Sequence, residues 1–146
     1  MHRKDFFDII NNLCAWDKIG DDDEVISPLV TYLSQQTDEE IFSFDKIMAE
    51  LLYELDTKKY FKEACKYYDH SDDSFLYSRC CALTNGEEYY EAVKAGKARD
   101  LWKMEFEAIL SVPHLAWGKK HGEHSSNYPL FTSKSYETGS NKDGWK

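Results

Sequence analysis

The chain has 146 residues, 42% of them apolar and 15% aromatic, with 18 basic against 27 acidic side chains and a formal charge of −9. That length suits one domain able to bury roughly two thirds of its unfolded surface, and so many aromatic side chains exclude a disordered chain. The charge repels phosphate backbones and anionic lipid heads, which argues against sequence-independent binding of nucleic acid or a membrane surface.

At the N-terminus Arg3 and Lys4 precede Phe6 and Phe7, but Asp8, Asn11 and Asn12 break the apolar stretch, so no signal peptide is expected. No window approaches the roughly 18 to 20 apolar residues of a membrane span. The expectation is a soluble cytoplasmic protein whose Cys14, Cys65, Cys80 and Cys81 remain thiols in a reducing compartment.

Phe6, Ile9, Ile10, Leu13 and Trp16 recur at three and four, predicting a first helix from Asp5 to about Trp16. The run Gly20 to Glu24 interrupts it. Ser27-Pro28 then reads as a capping hydroxyl before a proline at the first helical position, predicting a helix over Pro28 to Gln35, with an earlier start inside the acidic run as the alternative. Thr37-Asp38-Glu39-Glu40 reads as a capping box, in which Glu40 reaches back to the Thr37 amide. Behind it Ile41, Phe44, Met48, Leu51, Leu52 and Leu55 form one face of a long central helix, leaving Asp45, Lys46, Glu50 and Glu54 on the other.

Tyr60, Phe61, Ala64, Cys65 and Tyr68 continue the period after a break near Asp56-Thr57. Between Ser71 and Gly86 one short helix is written with both ends: Ser71 or Asp72 can cap its first amides, and Asn85-Gly86 offers a left-handed stop. A further short helix is predicted over Glu87 to Ala95, another apolar face from Leu101 through Trp102, Phe106, Ile109 and Leu110, and a proline-started turn from Val112-Pro113 to Lys120, ended by Gly122. Beyond Gly122 the helical period stops. The expected architecture is all-α: a single helical domain over 1–122 with about six to eight helices, and a tail over 123–146 whose Tyr128, Phe131, Tyr136 and Trp145 lie back on it.

Three groupings carry chemical readings. Asp72-Asp73 at a helix start, with Arg79 beside the apolar face of the same helix, could line a small-ligand or catalytic pocket. The plainer reading is that the carboxylates serve the helix N-terminus and Arg79 reaches a carboxylate of its own chain. His114, His121, Glu123 and His124 lack the spacing of a zinc site, and Cys80-Cys81 has only Arg79 as a hint of thiolate activation. Phosphate-binding glycine loops, a nucleophile elbow and a dinucleotide fingerprint are all missing, so no metal, cofactor or catalytic set is assigned. The acidic clusters Asp21, Asp22, Asp23 and Glu24, and Glu87 with Glu88, read either as solvated helix starts or as a face that steers a basic protein partner.

Ser71, Asp72, Asp73, Phe75, Arg79, Ala82-Leu83 and Gly86 follow a pattern similar to that of a bacterial family described as domain of unknown function 4240. Phe6-Phe7 with Ile10, Glu40-Ile41 with Phe44, and Tyr89 to Val93 extend the resemblance over about residues 5 to 122, while Ser78 and Cys81 stand where that family tends to carry aromatics. The resemblance implies a small helical domain and no particular activity. The functional expectation is therefore a non-enzymatic interaction module, in its sharpest form an immunity-type protein covering the basic surface of a toxin; the alternative is an enzyme or small-ligand binder around Asp72, Asp73 and Arg79.

Overall fold

A computed structural model describes all 146 residues as seven α-helices joined by 3-10 turns, with no strand. The helices are α1 (Arg3–Leu13), α2 (Asp22–Ser34), α3 (Asp38–Glu54), α4 (Lys58–Ala64), α5 (Asp72–Cys80), α6 (Glu87–Lys94) and α7 (Val112–His121). None is long and apolar enough to cross a membrane.

The central helix is α3. Ile41, Phe44, Met48, Leu51, Leu52 and, at its C-cap, Leu55 are fully buried, each such side chain contributing roughly 1.5–3 kcal/mol by leaving water. Phe6 of α1 meets Phe44 with ring centroids 4.7 Å apart, and Phe7 meets Tyr90 of α6 at 5.7 Å. Helices α2 and α7 form the most extensive helix pair, and α7 also contacts α3.

Helix α2 takes the earlier start inside the acidic run, six residues before Pro28: Asp21, not Ser27, caps it, its carboxylate accepting from the Glu24 amide at 3.2 Å, and Pro28 lies inside the helix. An interior proline forfeits one helical hydrogen bond, but Val25, Ile26, Leu29, Val30 and Leu33 make a continuous buried face that only the longer helix can present. Thr37 does cap α3, accepting from the Glu40 amide at 3.2 Å, yet the Glu40 carboxylate accepts from the N-terminal ammonium of Met1 at 3.3 Å instead of reaching back. Helix α5 ends at Cys80 and tightens into a 3-10 turn over Cys81–Leu83, while Gly86, at φ +89°, stands at the start of α6.

The apolar face from Leu101 to Leu110 is not an α-helix. It folds as two 3-10 turns, Asp100–Lys103 and Glu107–Ser111, around an extended Met104. Partners distant in sequence take its backbone groups: the Phe106 amide donates to the Tyr77 carbonyl at 3.0 Å, the Ser78 hydroxyl to the Met104 carbonyl at 2.6 Å, and His70 Nε2 to the Trp102 carbonyl at 2.9 Å. Asp45, placed by period on the polar side of α3, is 4% exposed because Tyr128 covers it and donates to its Oδ2 at 2.9 Å.

Candidate functional site

The segment after Gly122 runs back over the helices and meets two buried charges. Asp56, fully buried just after α3, accepts from the amides of Gly139 and Asn141 at 3.0 Å each and from the Trp145 indole at 2.7 Å. Arg79, fully buried on α5, donates from Nη1 to the Leu52 carbonyl at 2.8 Å and from Nη2 to the Tyr136 carbonyl and the Thr138 hydroxyl at 3.0 Å. Its guanidinium also lies 4.8 Å from the Phe75 ring centre. Burial pulls the guanidinium below its ordinary pKa, and the Asp56 carboxylate works against that fall. Carbonyls and a hydroxyl, not a carboxylate, are thus the direct partners of Arg79.

Asp72 and Asp73 do not join it. Both are exposed in the first turn of α5, where Ser71 makes the cap by accepting from the Ser74 amide at 3.1 Å, and the Asp72 carbonyl accepts from Thr138 at 2.7 Å. None of the five main cavities is lined by Asp72, Asp73 or Arg79.

A groove of about 330 Å³ lies instead where α1 turns into α2 and the 104–106 segment passes over them. Its apolar walls include Trp16, Val25, Cys81 and Phe106, with the rings of Trp16 and Phe106 at 5.7 Å. Ile19 and Met104 stand at its edge, 79% and 43% exposed, and the carboxylates of Asp22 and Glu105 belong to the same lining. Burial pushes the Cys81 thiol up to about 12, and the charges of Glu105, Asp100 and Asp22 oppose its ionisation further. This thiol stays protonated and is not a ready nucleophile. The groove can therefore take an apolar side chain and hold a positive charge at its rim.

Of the acidic residues singled out in the sequence, only Asp22 lines this groove. Asp21 is committed to its cap, Asp23 faces a separate cleft with Ile26 and Leu115, and Glu24 is exposed. Glu87 and Glu88 are exposed at the start of α6, where Glu87 lies among the charges around Lys4. Trp16, Ile19, Met104, Glu105 and Phe106 were not legible as site residues. The one local signal was Ile19, an apolar residue stranded beside Gly20 in a charged run.

The remaining titratable groups have local duties. Asp38 is held below the usual carboxylate range by hydrogen bonds from His121 at 2.9 Å and Lys120, whose ammonium lies 3.0 Å away; together they tie the start of α3 to the end of α7. His124 bonds the Ser126 hydroxyl, and the His114 ring packs at a tilt against Tyr128 with centroids 4.3 Å apart. No three His, Cys, Asp or Glu side chains converge as metal ligands, and all four cysteines are free. Burial raises the Cys14 thiol to about 12 and raises the Cys80 thiol as well.

Among known proteins, a family model described as "Protein of unknown function (DUF4240)" matches residues 1–119. No curated protein and no solved structure matches the chain.

Proposed function

This chain belongs to the DUF4240 family of proteins of unknown function, and from that premise we propose that it is a non-enzymatic interaction module whose acid-rimmed groove binds a basic segment of another protein. The observation that carries the reading is the pairing of exposed Ile19 and Met104 with Asp22 and Glu105 around one apolar depression. Apolar contact supplies affinity there, while the carboxylates and the overall charge of −9 raise the encounter rate with a basic surface. The partner class is a basic cytoplasmic protein. In the sharpest version it is a toxin whose nucleic-acid-facing surface this protein covers, in the manner of an immunity protein.

The test is an affinity capture from native cell extract at low and moderate salt, read by mass spectrometry and repeated with Asp22→Lys and with Met104→Ala. A basic protein retained at low salt, released at higher salt and lost by both variants supports the reading. Retention that neither variant changes sets the groove aside. The other functional reading, a ligand site at Asp72, Asp73 and Arg79, draws no support from the main cavities, none of which Arg79 lines; its two terminal nitrogens donate to the Leu52 and Tyr136 carbonyls and the Thr138 hydroxyl, while Nε is buried without a partner.

A further inference from the structure

Two fully buried charges inside the family-matched residues 1–119 are satisfied by a segment outside them. Every hydrogen bond to the Asp56 carboxylate comes from that segment: the Gly139 amide, the Asn141 amide and the Trp145 indole. Nη2 of Arg79 likewise donates only to the Tyr136 carbonyl and the Thr138 hydroxyl. Residues 1–119 by themselves would leave a buried carboxylate and a buried guanidinium nitrogen unpaired, which is costly. Both groups face the path of an extended chain. Amides of two alternate residues meet Asp56, and the Lys58 amide donates to the Gly144 carbonyl at 2.9 Å. The Trp145 ring lies against Phe61 and Phe75, with centroids 5.4 and 6.4 Å away. At Gly144 a Cβ would come within 2.9 Å of both the Asp56 carbonyl and the Thr57 methyl, so the position calls for glycine. Main-chain hydrogen bonds that hold an extended segment, with side-chain pockets that select its residues, are how peptide-binding surfaces work.

The segment is also separable from the core. From Pro129 to Lys146 there is no helix and no buried residue, Tyr136 and Trp145 being half-buried. The connector 129–135 makes hydrogen bonds only to neighbours two residues away, and Phe131 within it is 94% exposed. A stretch with so little apolar burial opens at a lower free energy than the helices beneath it. We propose that the surface around Asp56 and Arg79 is a peptide-binding site occupied in cis by residues 136–146, and that the same segment of a second copy of this chain can take its place. Such an exchange joins two copies without any new contact chemistry. The site is separate from the acid-rimmed groove and does not depend on it.

A labelled synthetic peptide of residues 135–146, titrated with the full chain and read by fluorescence anisotropy, stands in for the second copy's segment. In the parent the cis segment competes at an effective concentration on the order of millimolar, so the peptide should bind weakly. Trp145→Ala in the full chain loosens the cis occupant and should tighten peptide binding by about tenfold or more, because a larger share of chains then offers the open site. A peptide carrying Gly144→Ala should bind that same chain about tenfold or more weakly, since the added methyl meets Asp56 and Thr57. Hydrogen exchange of the parent needs no variant: the Gly139 and Asn141 amides should show protection about tenfold or more below that of α3. The proposal is overturned by protection at Gly139 and Asn141 equal to that of α3, or by a Trp145→Ala chain that loses its helical circular dichroism. Absence of saturable peptide binding to that chain up to millimolar concentration, or equal binding of the Gly144→Ala peptide, overturns it as well.

Discussion

Asp45 illustrates how one residue can be misplaced by pattern and then explain a cost. Burial pushes its carboxyl above the usual range, while the Tyr128 hydroxyl and the charge of His114 pull the other way. The native state thus keeps the proton at pH values where the unfolded chain has lost it. Stability falls as pH rises from the ordinary carboxylate value through the raised one, and above that the full cost of the buried charge is present. Asp45→Asn should therefore melt at or above the parent temperature at pH 7, with the difference closing toward pH 3; a lower midpoint at pH 7 would mean that the ionised form is the stabilised one. Thr37 is the simpler case. Its hydroxyl meets the Glu40 amide, so Thr37→Ala should cost about 1 kcal/mol in urea unfolding, even though Glu40 spends its carboxylate on Met1.

Among elements, α2 follows the alternative of an early start, while the 101–110 stretch departs from its pattern. A proline suggested that α2 should start late, but the buried face from Val25 to Leu33 and three acidic residues in the first turn outweigh one missing hydrogen bond. From Leu101 to Leu110 a helical period exists, yet α5 supplies partners for the backbone and leaves no need for the i to i−4 ladder. The C-terminal segment has no period at all and is held by side chains. Because Asp56 gathers two amides and the Trp145 indole, Asp56→Ala should cost about 3 kcal/mol or more by leaving those donors and the Arg79 charge uncompensated. The Trp145 indole should also become exposed, read as a red shift in fluorescence before global unfolding. A variant whose emission and urea midpoint match the parent would show that the segment is held by its aromatic packing alone.

At the scale of the whole molecule the negative charge is spread over helix starts, and only where the groove adds apolar surface does it become a specific feature. If association with a basic partner is steered by that field, its rate should drop several-fold between low and physiological salt. Stopped-flow mixing of the captured partner with parent and Asp22→Lys protein checks this. The parent should show the steeper salt dependence, and equal slopes would place the steering elsewhere.

Periodicity and capping residues by themselves determined the all-α class, the central place of α3, the Thr37 start, a further start at Ser71 or Asp72 and the Gly122 stop, because those features depend on neighbours within a turn or two of the chain. Family membership was legible for the same reason, in the run from Ser71 to Gly86. Only the tertiary structure decided that Arg79 and Asp56 receive the returning segment, that Asp45 is buried, and that Trp16, Met104 and Glu105 share a groove with Asp22. Those arrangements join residues from tens of positions apart, and a local pattern carries no information on which distant backbone will arrive to satisfy a buried charge or roof an exposed face.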